Sequence, residues 1–600
     1  MHEIPTKIPD YAELFCLSNF TFLEGASHAE ELAARAVQLG YTALAVTDEC
    51  SLAGVVRAHM ETKDAGMKLI IGSYFRIEWE AGQPPLTLIA LAQNREGYGN
   101  LSELITLART RADKGSYRIG IADFSAPQVS HAHLRSLPDC LLVLAPHYPA
   151  DAALLAQQAD WLARTFPQRA WLGLTQLYRP LDHLHRGVIL EAAAASRLPV
   201  VALGQVNMHV RSRKPLQDTL TAIRLGKAVS DCGYDLAPNA EQHLRSRLRL
   251  ANIFPAATLE ETLHIASLCH FKLSELRYEY PEELVPEGQT PAGYLRQEAY
   301  LGAHLRYPAG IPESVSSQLE HELTLINDLA YEPYFLTVYD IVRFAKDNGI
   351  LRQGRGSAAN SVVCYCLGVT EVDPTCSTML FERFISKERG EPPDIDVDFE
   401  HQRREEVIQY IYRKYGRMRA AIAAAVHTYR PRGVLRDVGK ALGVDESIVD
   451  KVAKSQQWFD HRDNLLDRFA ECGLDPQSPI AHQWAILARQ LLNFPRHLSQ
   501  HSGGFVIARD KLSRLVPIEN AAMPDRSVIQ WDKDDLESLG LLKVDVLALG
   551  MLSALRRALE LVGKRRGMPF ELQDISREDQ VTYDMICQAD TIGVFQIESR

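Results

Sequence analysis

The chain contains no run of about eighteen apolar residues. Its opening residues, MHEIPTKIPDYAEL, lack the apolar core of a secretory signal. Together these absences predict a cytoplasmic protein with no membrane partner. The ten cysteines are scattered, the closest pair being Cys364 and Cys366. No CxxC spacing occurs, which excludes a zinc ribbon or a dithiol redox pair and leaves reduced, structural thiols. The Walker pattern GxxxxGK[ST] is missing, so the chain is not a P-loop NTPase. Internal repeats and low-complexity tracts are also missing. Positive charge is not in excess: Lys plus Arg number 65 against 76 Asp plus Glu, a net charge of −11. Any contact with nucleic acid must therefore use local basic surfaces.

What is present is an ordinary globular composition, 46% hydrophobic and 24% charged, over 600 residues. That length exceeds a single core and predicts about three to five domains. Residues 1–275 alternate helical stretches such as HAEELAARAVQLG (28–40) with short apolar runs such as YTALAVTD (41–48), LTLIALA (86–92), CLLVLAP (140–146) and LPVVALG (198–204). This pattern predicts parallel strands joined by crossovers, in a barrel-like or layered sheet. Residues 276–293 are rich in Pro, Glu and Gly without an apolar period and read as a linker. A second α/β unit follows over 294–427. Residues 428–500 are helical, with Arg430, Arg432, Arg436 and Lys440 in their first part. Strand-like segments return over 501–562, GGFVIA (503–508) and LGLLKVDVLAL (539–549) among them, so the helices between form an inserted subdomain.

Within EPPDIDVDFE (391–400), Asp394, Asp396 and Asp398 alternate with Ile395, Val397 and Phe399. Side chains on a strand repeat with period two, so the carboxylates share one face while the apolar residues face the core. Oxygen ligands on a rigid element, with no Lys or Arg inside the run, suit Mg²⁺. A plain edge strand with one solvated face alternates in the same way. Asp is nevertheless a poor strand former, and adjacent like charges repel unless a cation lies between them. In GRGSAANS, Arg355, Gly356 and Ser357 lie just ahead of the helical run AANSVVCYCL, where amides of a helix N-terminus could cradle phosphate. In LLKVDVLAL, Lys543 and Asp545 interrupt an apolar strand on one face. A buried salt bridge is one reading; a phosphate-facing Lys543 beside a metal-binding Asp545 is the other.

GRGSAANS, LFERF (380–384), PDIDVDF and LLKVDVL stand in the order and spacing of the palm of bacterial C-family DNA polymerases, and the chain resembles that family over nearly its entire length. The resemblance implies an α/β multidomain fold: a PHP-like (polymerase and histidinol phosphatase) α/β barrel, then a polymerase-β-like nucleotidyltransferase palm (294–427 and 501–562) with an inserted helical thumb (428–500). The start of the fingers would occupy 563–600. It implies two-metal nucleotidyl transfer with Mg²⁺, with Asp396, Asp398 and Asp545 as catalytic metal ligands and Asp394 in support. Arg355, Gly356, Ser357, Arg389 and Lys543 would contact nucleotide. Arg403, Arg404, Arg413 and Lys414 on one helix, with Arg430 and Arg432 in the thumb, would contact primer-template DNA. The chain stops inside a motif, so it is expected to be an N-terminal fragment unable to polymerise alone.

The opening LFCLSNFTFLEGAS and ALAVTDECSLAGVV resemble a PHP domain whose metal ligands have been lost. Glu13 and Leu17 stand at histidine positions, and Glu49 follows Asp48 where a histidine is expected. Tyr74 replaces a glutamate, and Gln205 and Asn207 replace Asp and His. His28 and His209 do not restore the pattern. Leucine cannot bind a metal and amides are weak ligands, so this domain is expected to be structural. SNFTFLEGASHAEEL, GRGSAANSVVCYCLGVTEVDP and DIDVDFEHQRREEVIQYIYRKYG look most like the error-prone branch of the family. That branch implies damage-induced translesion synthesis from dNTPs, with a sliding clamp, an inactive Y-family-like protein and a RecA-like protein as partners. The replicative alpha subunit and a PHP-type phosphoesterase are the alternatives.

Overall fold

The computed structural model describes residues 8–80, 82–281, 284–374, 385, 395–455, 465–575 and 579–597, without the side chains of Ser357 and Gln573. The chain forms two compact units. The first comprises Met1–Arg277, Ala424–Gln500 and Ser513–Leu539; the second comprises Tyr278–Ala423, His501–Leu512 and Gly540–Arg600. The chain passes between them inside two strands, Ala420–Thr428 and Pro495–Ile507.

In the first unit, the strands Ala12–Glu13, Ala43–Val46, Lys68–Ile77, Leu86–Ala92, Cys140–Ala145, Ala170–Thr175 and Val200–Leu203 form one sheet in sequence order. Its ends meet: Cys16 bridges Val206, and the Leu17 amide donates to the Val206 carbonyl at 2.8 Å, closing the sheet into a barrel. Leu14, Ala45, Ile70, Ile89, Val143 and Leu203 fill the barrel core. The expectation of parallel strands fails at Leu86–Ala92, which runs antiparallel to both neighbours. Its link to Lys68–Ile77 is too short for the crossover that a parallel pair requires.

The helices of the 424–500 segment, Pro431–Ala441, Glu446–Ser455, Leu465–Glu471 and Pro479–Leu491, share a core with the helix Lys214–Leu225. Met208, Leu216 and Leu220 pack in it with Val434, Leu435, Val438 and Trp484. Trp484 is fully buried, stacks on Phe469 at 4.5 Å between ring centroids, and donates from Nε1 to the Leu435 carbonyl at 3.1 Å. The 513–539 segment is tied to the same unit by buried hydrogen bonds. Tyr98 Oη donates to the Leu515 carbonyl at 2.8 Å, and Trp531 Nε1 to the Leu52 carbonyl at 3.1 Å.

In the second unit, strands Arg352–Arg355, Asp396–Glu400 and Val544–Leu549 lie side by side, with Pro495–Ile507 beyond the last. Helices Pro291–Arg306, Glu313–Asp328 and Glu332–Asp347 supply its core, in which Leu295, Leu319, Phe335 and Ile341 are buried with Val397, Phe399, Val544 and Val546. Among the described residues no helix is long and apolar enough to cross a membrane. Substituting Trp484→Ala removes a ring and a buried hydrogen bond at once. It is expected to cost about 3–5 kcal/mol, read as an earlier unfolding transition in urea titrations followed by circular dichroism.

Candidate active site

The site is built on strand register. Asp396–Glu400 runs parallel to Val544–Leu549 with Asp396 opposite Asp545, and antiparallel to Arg352–Arg355 with Asp396 opposite Arg355. On the other side of Val544–Leu549, Gly504 stands opposite Asp545. Directly opposed residues share a sheet face, so Gly504, Asp545, Asp396 and Arg355 form one row across four strands. Asp398, two residues on, lies on the same face. The other face carries Val397, Phe399, Val544 and Val546 into the core.

Carboxylates packed this closely need counter-charge. Arg355 Nε stands 3.6 Å from Asp396 Oδ2 and 3.6 Å from Asp398 Oδ2. Lys543 Nζ donates to Asp545 Oδ2, and both side chains are buried. Burial pushes the Asp398 carboxyl above the usual carboxylate range, against the pull of Arg355. Burial also acts on Asp545, but Lys543, a hydrogen bond with Asp396 and His501 outweigh it and hold its carboxyl below that range. His501 Nδ1 accepts the amides of Gly504 at 2.8 Å and Gly503 at 3.3 Å and lies 3.8 Å from Asp545 Oδ1. Glycine is required at 504 because a Cβ there would meet Asp545 Oδ1 at 2.8 Å and His501 Nδ1 at 2.9 Å.

Further contacts hold the row in place. Buried Tyr334 accepts the Ile395 amide at 3.0 Å and donates to the Lys543 carbonyl at 3.2 Å, joining the starts of both acidic strands. Arg404 donates from Nε to the Val546 carbonyl at 2.8 Å and from Nη2 to the Ser502 carbonyl. Glu400, on the same face as Asp396 and Asp398, is 2% exposed and pairs with Arg556 Nε at 2.6 Å. Sequence reasoning missed Glu400, although it continues the period-two alternation by one more step. It also missed Tyr334 and His501, whose roles depend on contacts distant in sequence.

Asp394, Arg389 and LFERF lie outside the described residues, as does the Ser357 side chain. Gly356 has φ +65° and opens a short turn, Gly356–Asn360. The helix N-terminus behind it is not available to phosphate. Buried Glu322 accepts the Val362 amide at 2.9 Å, the Val363 amide at 2.9 Å and the Ser361 hydroxyl at 2.8 Å. That carboxylate fills the role assigned to a ligand in the sequence reading, for the same reason: a helix N-terminus attracts negative charge. Of the GRGSAANS groups expected to meet phosphate, Arg355 and the turn at Gly356 are not engaged by Glu322.

Of the cations expected to meet DNA, Arg403 donates to the Asn348 carbonyl at 3.0 Å and pairs with Glu406 at 2.8 Å. Lys414 Nζ pairs with Asp340 Oδ1 at 2.5 Å. These two, with Arg404, are committed to holding the unit together, while Arg413 is exposed on the helix Arg404–Tyr415. Arg430 and Arg432 belong to the first unit, exposed at the start of the helix Pro431–Ala441.

The donor set of Asp396, Asp398 and Asp545 suits a hard divalent cation, and the buried Asp545 Oδ1 accepts no hydrogen bond. The residues fit such an ion in kind and in strand register; as the side chains stand, among the described residues no group of three His, Cys, Asp or Glu is gathered around one point. Arg355 and Lys543 are the cations that stand beside these oxygens.

In the barrel, Glu13, Asp48 and Glu49 are engaged by internal hydrogen bonds. Glu13 accepts from Tyr11 Oη at 2.9 Å, the Phe15 amide at 3.0 Å and the Gly204 amide at 3.0 Å. Asp48 accepts from the Ser18 amide at 2.8 Å, Ser18 Oγ at 2.7 Å and Thr21 Oγ1 at 2.8 Å. Burial raises both carboxyls, with the hydrogen bonds opposing it. Glu49 accepts from Tyr74 Oη at 2.9 Å and Tyr117 Oη at 2.7 Å. His28 and His209 bond Asn19 and Ser27, each at 2.8 Å, and burial lowers both imidazoles.

Family profiles match three stretches of the chain. Residues 14–172 match the PHP domain, 293–548 the bacterial DNA polymerase III alpha NTPase domain, and 551–600 the bacterial DNA polymerase III alpha subunit finger domain. Among curated proteins, the error-prone DNA polymerase of Bordetella parapertussis is 66% identical over 99% of this chain and 56% of its own length. Those of Burkholderia mallei and Ralstonia nicotianae are 60% and 58% identical over 99% and 100% of this chain, and each is covered over 57% of its length. The chain thus spans a little over half the length of these relatives. An amidohydrolase structure from Chromobacterium violaceum matches at 14% identity over 33% of this chain and 87% of that one, with a TM-score of 0.22.

Glu322→Ala strips three buried donors of their acceptor. A loss of about 3 kcal/mol is expected, and Glu322→Gln, which keeps a carbonyl acceptor, should lose less; chemical denaturation of the two variants measures the difference.

Proposed function

We propose that this chain carries the nucleotidyl-transfer centre of an error-prone DNA-directed DNA polymerase, joining a dNTP to a primer 3′-hydroxyl during damage-induced translesion synthesis. The observation that carries the reading is the row of Asp545, Asp396 and Arg355 on adjacent strands, with Asp398 beside it. In this reading Asp396, Asp398 and Asp545 hold Mg²⁺, which when bound supplies charge neutralisation for the attacking and leaving oxygens. The protein's own contribution is position. Tyr334 and Arg404 fix the two acidic strands, and Gly504 leaves room for the Asp545 carboxylate. Arg355 and Lys543 are the cations proposed to contact the triphosphate. Gly356, Ser357 and Arg389 complete the nucleotide contacts proposed here, and Asp394 supports the metal ligands.

Template-primer DNA would use the exposed cations Arg413, Arg430 and Arg432, whereas Arg403, Arg404 and Lys414 are assigned to internal bracing. Helices within 428–500 are proposed as the thumb. Eight curated relatives, 56–66% identical to this chain, are each called an error-prone DNA polymerase, which favours that role over a replicative one. A sliding clamp and mutagenesis accessory proteins are the partners that follow, in the cytoplasm.

Asp396→Ala or Asp398→Ala, made in a polypeptide of the relatives' full length, is expected to reduce primer extension by at least about 10³-fold with an unchanged circular dichroism spectrum. Extension at the parent rate would rule out the assignment.

The barrel domain is proposed as structural, because the oxygen lone pairs of Glu13 and Asp48 are already engaged by hydroxyl and amide donors. Incubating the chain with a 3′-labelled primer and Mn²⁺ should release no nucleotide. Mn²⁺-dependent release that persists in an Asp396→Ala background would locate an exonuclease in the barrel and overturn this part.

A further inference from the structure

We propose that Arg355 competes with divalent cations for Asp396 and Asp398, and that a nucleoside triphosphate relieves the competition by offering the guanidinium a second anionic partner. The inference rests on reading those carboxylates as a metal site and adds a coupling between metal and nucleotide.

The geometry is that of a bridging cation. Arg355 Nε is 3.6 Å from an oxygen of each aspartate, and strand register makes Arg355 the direct cross-strand neighbour of Asp396. A divalent ion binding those oxygens must take the place of this guanidinium, since two cations cannot share the same carboxylate edge without mutual repulsion. Arg355 also has somewhere to go. Half of its side chain is exposed, at 50%, and Gly356 beside it has open space where a Cβ would point. Lys543 differs: its side chain is 8% exposed, and it is a fixed partner of Asp545.

Two anionic ligands, the carboxylate pair and a triphosphate, thus draw on one arginine. When the triphosphate engages Arg355, the carboxylates lose a counter-charge and their affinity for a metal rises. Linkage requires the converse, so bound metal frees Arg355 and strengthens triphosphate binding by the same factor. Without nucleotide, Arg355 keeps the carboxylates compensated and metal affinity low.

The test is Mn²⁺ titration of the 600-residue chain, following the electron paramagnetic resonance signal of free Mn²⁺ in the parent, Arg355→Gln, Arg355→Lys and the double variant Asp396→Asn/Asp398→Asn. The site is defined as the binding lost in the double variant. At that site Arg355→Gln is expected to bind Mn²⁺ about fivefold more tightly than the parent, while Arg355→Lys, which keeps the charge, stays near the parent value. Equal affinity in the parent and Arg355→Gln, with the site still lost in the double variant, would overturn the competition and leave the metal-site reading standing. Tightening in Arg355→Lys as large as in Arg355→Gln would also overturn it, because charge would not be the cause. No binding lost in the double variant would remove the metal site itself, and the proposal with it.

Discussion

Everything at the candidate site depends on the register between Asp396–Glu400 and Val544–Leu549. A slip of one residue in either strand would turn its aspartate into the core and its valine toward solvent. The burial of Val397, Phe399, Val544 and Val546 opposes that slip, so the acidic row is positioned by the hydrophobic effect acting on the other face of the sheet. The row then creates its own electrostatic problem. Asp396 and Asp545 are side by side on parallel strands, an arrangement that destabilises the sheet unless positive charge compensates it. Arg355 and Lys543 supply that charge from the neighbouring strand and from the same strand two residues earlier. The cations of the site are therefore consequences of its anions before they have any role toward a substrate.

The acidic strand could be read from sequence because both of its faces obey one short period, and the glycine-rich turn because glycine and charge adjoin it locally. What was not legible is what comes from far along the chain. The N-terminus of Val362–Cys366 resembles a phosphate cradle in isolation, and nothing within GRGSAANSVVCYCL reveals that Glu322 on another helix fills it. Tyr334 is equally silent in sequence: an aromatic residue on an amphipathic helix reads as core, and only the fold shows its hydroxyl linking two strand starts. The arginines of REEVIQYIYRK had two possible fates, and local pattern could not separate an exposed Arg413 from an Arg404 that braces the sheet.

The segment 424–500 illustrates the same limit at the scale of a unit. Its helical periodicity was plain, and its insertion between strands of one sheet followed from chain order. The partner of its apolar face was not, because Met208, Leu216 and Leu220 lie more than two hundred residues earlier and carry no mark of that pairing. Strand Leu86–Ala92 is the opposite case. The shortness of its preceding link was visible in sequence and excludes a parallel pair, so that error lay in applying an alternation rule before a length rule.

Both units keep clustered or buried carboxylates, and the way each set is compensated separates them. In the barrel, Glu13 and Asp48 are satisfied by hydroxyl and backbone N–H donors that are themselves buried and directed by the fold. Replacing those donors with a metal would strand several of them without acceptors, a cost of about 1–3 kcal/mol for each. In the second unit, Asp396 and Asp398 are balanced by a half-exposed guanidinium, which can leave for water or another anion without itself being left buried and unpaired. A carboxylate satisfied by neutral donors is a structural element; one balanced by a displaceable cation can exchange that partner for a ligand. By this criterion Asp396 and Asp398 can exchange their partner for a ligand, whereas the barrel's Glu13 and Asp48 are held by their own buried donors.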